Sequence, residues 1–280
     1  MTRGFRSLNW FAVRSEHLWI DRWFGRLALR LARAGGKHVA VAWPGPVWSR
    51  GAAGTPLLSW FSVPVTDAGA DSFAAAINSA LTVAPEHGRS AAASPEVERL
   101  MQKYARSHAS TMRRSQANCP AALLENRHLT RVLLIDERVR SHGLGAIAIR
   151  NSCRTFTRML QAAHTAHPQA EFWIARSDDK GNGRWLSASA GNMPPGIRHF
   201  AEHESLCAAL PHVDHVYTLG ATEGMHALLA GVPVHVFGAP YYAGWCLTDD
   251  YLPLPNRTAR PTLAALFDVV FLRFARYLNP

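Results

Sequence analysis

The sequence lacks the features that would mark a secreted or membrane-embedded protein. Its 280 residues include only 4 cysteines, widely spaced and without a CxxC pair, which predicts reduced thiols in a cytosolic protein. Residues 1–23 lack the uninterrupted apolar segment of a signal peptide. No stretch approaches the roughly 18 to 20 apolar residues of a membrane span. We therefore expect a soluble or peripheral cytoplasmic protein.

Several common binding signatures are also missing. No run of five like charges occurs, so a basic tail for nucleic acid is not supported, and no GxGxxG, Walker or GxSxG pattern is present. The 14 histidines lack a third and fourth ligand at a recognisable spacing, so no metal site and no cofactor are predicted. Three histidine pairs lie close in sequence: His164 with His167, His199 with His203, and His212 with His215.

Positive charge and apolar residues are abundant. The net charge of +10 favours anionic partners such as nucleotide-sugars, phosphate esters or acidic lipid, and 48% hydrophobic residues allow a substantial core. In a helix predicted at 15–34, arginines form a stripe beside aromatic residues, a mix suited to an anionic membrane surface. The alternative is an ordinary helix that packs on a sheet. The stripe comprises Arg22, Arg26, Arg30 and Arg33, beside Trp19, Trp23 and Phe24.

Strand and helix patterns alternate along the chain, which is typical of an α/β protein with a parallel, doubly wound sheet. We predict two Rossmann-like lobes, residues 1–125 and 126–255, followed by a C-terminal helix within 256–280. In such sheets ligands bind beyond the carboxyl ends of the strands. Strands are predicted at 38–43, 56–65, 131–136, 170–175, 214–219 and 232–238. Helices are predicted at 15–34, 95–114, 152–167, 203–211, 223–231 and 261–278.

Residues 216–250, "VYTLGATEGMHALLAGVPVHVFGAPYYAGWCLTDD", contain the strongest candidate site. A strand, a turn and a helix follow one another, so the amides of residues 221–224 are expected to face an anion such as a nucleotide phosphate. The alternative is a well-packed βαβ unit that binds nothing. In the loop after the next strand, two glycines allow close backbone approach and three aromatic rings could stack on a ligand or pack the cleft. These residues are Gly238 and Gly244, and Tyr241, Tyr242 and Trp245.

This segment resembles the signature of bacterial capsular-polysaccharide β-Kdo transferases. Those enzymes carry a close relative of "GFEALLAGKPVxxFGxPFYAGWGLTDD", and this chain reads "GMHALLAGVPVHVFGAPYYAGWCLTDD" without a gap. Upstream, "RVLLIDE" and "SCRTFTRMLQAAHTAHPQAEFWIA" are similar to two further family segments. The resemblance covers about residues 131–250.

The resemblance implies a GT-B-like fold with CMP-Kdo as donor, and a retaining transfer to a lipid-linked or glycan acceptor at the cytoplasmic face of the inner membrane. The N-terminal lobe would serve the acceptor. The nucleotide-sugar site would comprise Arg176, Ser177, Thr222, Glu223, Gly224, His226, Gly238, Tyr241, Tyr242, Gly244 and Trp245.

Several polar residues depart from the family pattern. The family's His-Pro after one strand is Ser177-Asp178 here, its Thr-Ser before the helix is Gly220-Ala221, and its helix Glu is His226. A second reading is therefore a catalytically degenerate relative that acts as a binding or scaffold subunit beside a partner glycosyltransferase.

Glycosyl transfer needs carboxylates and positive potential at the leaving phosphate. We assign the carboxylate role to Asp136, Glu137 and Asp178, with Arg176 and His226 as sources of positive potential. Simpler roles stay open. Asp136 could cap the end of a strand, His226 could pack within its helix, and Glu223 could interact with the helix dipole.

Overall fold

The computed structural model describes residues 17–19, 40–44, 59–64, 72–82, 94–114, 119–125, 129–141, 152–177, 181–189, 193 and 196–277. The chain forms two compact units. One comprises Met1–Ala76 with Val270–Pro280, and the other comprises Ile77–Val269. The division of function between residues 1–125 and 126–255 stays a prediction.

The elements of the described residues alternate between strand and helix over most of the chain. The strands are β1 His17–Trp19, β2 Ala40–Pro44, β3 Ser59–Pro64, β4 Arg131–Asp136, β5 Arg138–Ser141, β6 Glu171–Arg176, β7 Gly181–Trp185, β8 Arg198–His199, β9 His215–Thr218, β10 Val234–Val236, β11 Asp249–Asp250 and β12 Ala275–Tyr277. The helices are α1 Ser72–Thr82, α2 Pro95–Arg114, α3 Ala121–Leu124, α4 Ser152–Ala166, α5 Leu186–Ser189, α6 Leu206–Ala209, α7 Glu223–Leu229 and α8 Leu263–Phe267.

The first unit contains a mixed four-stranded sheet of order β1-β2-β3-β12. β1 runs parallel to β2, whereas β3 runs antiparallel to both β2 and β12. The predicted helix at 15–34 is wrong at its start, because His17–Trp19 pairs with Ala40–Ala42 as a strand. Residues 20–34, with the arginine stripe, lie outside the described residues.

The second unit contains a six-stranded sheet of order β11-β10-β9-β4-β6-β8, in which every pairing is parallel. The carboxyl ends of its strands therefore lie at one edge, here called the carboxyl edge. The predicted parallel α/β sheet is confirmed. β5 and β7 add a small antiparallel ribbon beside this edge.

Helix α4 packs against the six-stranded sheet through one apolar face. Its apolar residues recur at helical spacing and all four are buried, as the sequence predicts. They pack with the apolar side chains of β4, β6 and β9, whose interior positions are almost continuously apolar because a parallel sheet is covered on both faces. The buried residues of α4 are Phe156, Met159, Leu160 and Ala163.

Arg131, the first residue of β4, ties the sheet to the chain that precedes it. Its side chain is 4% exposed, donates to the carbonyls of Leu123 and Ala122, and forms a salt bridge with Glu171 at 3.2 Å. Arg198 reaches the other oxygen of Glu171 at 2.9 Å but is half exposed. The buried arginine therefore satisfies carbonyl groups that the short helix α3 leaves open.

The C-terminal helix predicted at 261–278 is wrong in its second half. A regular α-helix covers only Leu263–Phe267, capped by Thr262, and a π-helical segment follows over Asp268–Phe274. Residues Ala275–Tyr277 then form β12, which pairs antiparallel with β3. β-Branched and aromatic residues dominate this end of the chain, and tertiary pairing with an existing strand overrides the helical periodicity.

Candidate functional site

Glu137 holds the turn between β9 and α7 from the end of the neighbouring strand β4. It follows β4, is 2% exposed, and its Oε1 accepts hydrogen bonds from the Thr218 hydroxyl at 2.9 Å and from the amides of Leu219 and Gly220 at 2.8 and 2.9 Å. A carboxylate that accepts several backbone bonds in a buried site is strongly oriented. The predicted catalytic carboxylate therefore fixes the backbone of this turn.

The Thr218 side chain also accepts hydrogen bonds from amides of this turn. Its Oγ1 accepts from the amides of Gly220 at 3.1 Å and Ala221 at 3.0 Å. Further along, the amide of Gly224 donates to the carbonyl of Ala221. The expectation that the amides of 221–224 all face an anion is therefore wrong for Ala221 and Gly224, whose N–H groups are used within the turn.

Asp136 caps helix α5. Its two oxygens accept from the Ser187 amide at 2.9 Å and the Ser187 hydroxyl at 2.6 Å. Burial raises the pKa of Asp136, against the opposing effect of the Ser187 hydrogen bonds and of Arg176. Asp136 therefore caps the helix that follows β7, whereas the sequence analysis left open a cap at the end of its own strand.

Ser177 and Glu223 connect β6 to α7 inside the carboxyl edge. Both are buried, at 6% and 3% exposed, and the Ser177 hydroxyl lies 3.0 Å from each carboxylate oxygen of Glu223. A hydroxyl has one proton, so it is shared between the two oxygens. Ser177 stands where the family has histidine, and here it faces a carboxylate.

Arg176 is the exposed cation of this edge. Its side chain is 59% exposed, lies 3.9 Å from Glu202, and its guanidinium sits 5.1 Å from the ring centre of Trp185. Arg138 approaches the same ring at 4.2 Å. Two guanidinium groups around one indole create a positive, partly open surface beside the buried carboxylates. The predicted Asp178 lies outside the described residues.

The aromatic loop that follows β10 is buried. Tyr241, Tyr242 and Trp245 are at most 2% exposed, so their rings leave no face open for stacking on a ligand and instead pack the loop. The Tyr242 hydroxyl donates to the carbonyl of Ala221 at 2.6 Å. A Cβ on Gly224 would lie 2.1 Å from that hydroxyl oxygen, so glycine is required there.

Arg257 holds the loop from the other side. Its buried guanidinium donates to the carbonyls of Ala239, Pro240 and Ala243 and lies 5.5 Å from the Trp245 ring centre. A guanidinium is planar and carries five N–H groups, so one arginine can donate to several carbonyls of an irregular loop. The loop is therefore a rigid support for the carboxyl edge.

Gly244 and Asp250 fix the turn of this loop. Gly244 has φ of 82°, and a Cβ there would lie 2.6 Å from Arg257. Its amide donates to Asp250 at 2.9 Å, and burial raises the pKa of the Asp250 carboxyl. Asp250 therefore caps the preceding turn.

The other predicted binding residues have distinct positions. Thr222 is half-buried at the start of α7, and Gly238 is buried two residues after the end of β10. His226 is half-buried, and its Nδ1 lies 3.6 Å from the Cys207 sulfur, which matches the helix-packing role. Of the predicted residues, only Arg176 combines a charge that suits a phosphate with substantial exposure.

A histidine cluster lies away from the carboxyl edge. His167, His215 and His235 each place one ring nitrogen within 4.8 Å of the other two. Burial lowers the pKa of His235 to about 4, which leaves this ring neutral at pH 7. The spacing argument against a metal site was therefore incomplete, because it compared neighbours in sequence and this cluster combines three separate elements.

Four residues with contacts at the candidate site escaped the sequence analysis. They are Arg138, Trp185, Ser187 and Arg257. Each lies in a segment without a periodic pattern of apolar residues. The one compositional hint at such a contact was the occurrence of arginine beside an aromatic residue near residue 185.

The chain belongs to the family of capsule polysaccharide biosynthesis proteins, which it matches over residues 82–277. It is 34% identical over 161 residues to the capsule polysaccharide modification protein LipA of Neisseria meningitidis serogroup B. It is 47% identical over 72 residues to the lipopolysaccharide-processing protein LpsZ of Rhizobium meliloti. These matches cover 53% and 26% of this chain but only 22% and 16% of the relatives, so the chain spans about a fifth of their length.

Two solved structures share the fold. The β-Kdo 2,4 transferase of Thermosulfurimonas dismutans KpsC superposes with a TM-score of 0.70 at 24% identity, covering 94% of this chain and 81% of that one. The β-Kdo 2,7 transferase of the same protein gives 0.58 at 16% identity, covering 94% and 92%. The predicted GT-B-like α/β fold class is confirmed.

Cys246 has a backbone conformation that is strained for a residue with a Cβ atom. It is exposed and has φ of 62°, a left-handed conformation, and the family pattern has glycine at this position. We predict that Cys246→Gly raises the free energy of unfolding. The relief of about 1–2 kcal/mol of left-handed strain exceeds the added entropy of an unfolded glycine, about 0.5–1 kcal/mol. The net gain is therefore at most about 1.5 kcal/mol, measured by urea denaturation.

Cys246→Ala is the matched control, because it removes the thiol and keeps the Cβ. The alanine variant should match the parent chain. An equal gain in both variants would assign the effect to the thiol and refute the backbone explanation.

Proposed function

We propose that the chain is a β-Kdo transferase-like protein of capsular polysaccharide assembly that binds CMP-Kdo at the carboxyl edge of its six-stranded sheet. The observation that carries this proposal is the exposed Arg176 at the end of β6, stacked near Trp185 beside Arg138. Parallel α/β sheets bind ligands beyond the carboxyl ends of their strands. CMP-Kdo carries a phosphate and a sugar carboxylate, and both suit guanidinium groups.

The buried network supports the same proposal. Glu137 and Thr218 fix the turn after β9, while Tyr242 fixes it from the aromatic loop. A preorganised backbone lowers the ordering cost of binding a nucleotide. The names of the KpsC relatives, both β-Kdo transferases, point to the same donor sugar.

A catalytically degenerate binding or scaffold role is the second candidate, and one contact favours it. Ser177 occupies the position of the family's histidine and its hydroxyl donates to Glu223, so a buried carboxylate lies beside that position. A negative charge near the leaving phosphate opposes the charge that develops during transfer. The loss of one preorganised stabilising group typically lowers kcat by about 100- to 1000-fold. Such a chain would bind the donor and rely on a partner glycosyltransferase.

The acceptor and the location are further parts of the proposal. A lipid-linked or glycan acceptor would be served by the first unit, and the net charge of +10 suits an anionic membrane surface. Among the described residues, no helix combines the length and apolarity that crossing a membrane requires. Peripheral association through the arginines of residues 22–33 stays a prediction.

We predict that CMP and CMP-Kdo bind the chain, as measured by calorimetric titration and by tryptophan fluorescence. Trp185 lies beside the proposed site, so its emission should change on binding. Arg176→Gln should weaken CMP binding by about tenfold or more, because a hydrogen bond to a charged group contributes about 1.5–3 kcal/mol.

Arg198→Gln is the matched control. Arg198 is also about half exposed and lies over a tryptophan, 5.3 Å from the Trp173 ring centre, but on strand β8. It should bind CMP as the parent chain does. No heat and no fluorescence change with CMP, or equal loss in both variants, would sink the donor-site proposal.

Transfer from CMP-Kdo distinguishes the two candidates. We expect slow turnover by the purified chain alone, measured as CMP release coupled to mass spectrometry of a glycan acceptor. Ser177 in place of histidine removes a group that could stabilise the leaving phosphate. Brisk turnover without a partner would exclude the scaffold role, whereas CMP binding without turnover would support it.

A further inference from the structure

The histidine cluster contains three rings from three different elements. His215 begins β9, His235 lies in β10, and His167 follows the last residue of α4. His215 and His235 lie close together because β9 and β10 are adjacent parallel strands. His167 directly follows α4, the helix that covers the same face of the sheet. The cluster lies toward the amino ends of β6 and β9, whereas the carboxyl edge lies at their opposite ends.

The distances suit a shared ion. His215 Nδ1 and His235 Nε2 are 3.1 Å apart, and all three rings place a nitrogen within 4.8 Å of the others. Two nitrogens that bind one zinc ion at about 2.0–2.1 Å with tetrahedral angles lie about 3.4 Å apart. The observed spacing therefore needs only small side-chain movements to close on an ion.

Two polar groups lie close to the cluster, in positions that suit the outer contacts of metal-binding histidines. Asp249 Oδ2 lies 3.3 Å from His235 Nδ1, on the side of the ring away from His215. The Tyr217 hydroxyl lies 3.1 Å from His167 Nε2, and the Tyr217 ring stacks on His235 at 4.1 Å. A carboxylate or hydroxyl on the second ring nitrogen fixes the tautomer and the orientation of a ligating imidazole.

We propose that His167, His215 and His235 bind one Zn²⁺ ion, with Asp249 orienting His235 from outside. Three imidazoles are a ligand set that zinc accepts, and a water or a neighbouring group completes four-coordination. The ion connects β9, β10 and the α4–β6 connection. Its role is to stabilise the sheet of the second unit, and the donor site at the carboxyl edge does not depend on it chemically.

The competing explanation is a hydrogen-bonded histidine cluster without metal. His215 and His235 could share one proton at 3.1 Å, and His167 could bond to Tyr217. This arrangement needs no ion, so added zinc would neither be retained nor raise the melting temperature. The two explanations therefore differ in a measurable quantity.

The test uses the full chain with its purification tag removed, stripped with a chelator and dialysed against Zn²⁺. Metal content by mass spectrometry should be one zinc per chain. The melting temperature should rise by about 5–10 °C at a hundredfold excess over Kd. Co²⁺ in place of Zn²⁺ should give the intense visible absorption of tetrahedral coordination.

Substitutions separate ligands from bystanders. His215→Gln and His235→Gln should each weaken zinc binding by more than about 100-fold, and Asp249→Asn by about 10–100-fold, the range for an outer contact. His203→Gln, at an exposed histidine of the same unit, is the control and should bind as the parent chain does.

Two results would overturn the proposal. One is that the parent chain does not retain a stoichiometric amount of zinc after dialysis. The other is zinc binding that is unchanged in His215→Gln or His235→Gln. Asp249→Asn keeps the experiment decisive where a histidine variant fails to fold, because the Asp249 side chain is 67% exposed and its loss leaves the core intact.

Discussion

The buried carboxylate of Glu137 is the interaction on which the rest of the carboxyl edge depends. One oxygen accepts from a hydroxyl and two backbone amides at the turn that leads from β9 into α7. Without this acceptor the buried Leu219 amide would lose its hydrogen bond, at a cost of about 1–3 kcal/mol, and the Gly220 amide would keep only the Thr218 hydroxyl. The position of α7, and with it Glu223 and Gly224, therefore follows from a residue about 80 positions earlier in the chain.

The aromatic loop builds on that turn. The Tyr242 hydroxyl donates to the carbonyl of Ala221 and lies close to Gly224, while Arg257 donates to carbonyls of the loop. In this chain the aromatic residues of the long family signature therefore pack the loop and the turn, and they have almost no exposed surface. The position of the family's histidine holds Ser177, which donates to Glu223.

Sequence reasoning predicted the regular parts well. The bounds of β4 and the buried face of α4 follow from continuous apolar runs and from helical periodicity, both local properties. The contacts of Glu137, Arg257 and the histidine cluster could not be predicted, because they join residues from 14 to more than 80 positions apart. The end of the chain was misread as helix because β12 is stabilised by pairing with β3, which local pattern does not encode.

The central claim is that Glu137 fixes the turn that forms the carboxyl edge. Residue-resolved hydrogen exchange tests it most directly, in the parent chain and in Glu137→Ala. The account predicts that the amides of Leu219 and Gly220 exchange at least about tenfold faster in the variant, while the amides of α2 keep their protection. Unchanged exchange at Leu219 and Gly220 would contradict the account, because it would show that the turn holds its structure without the carboxylate.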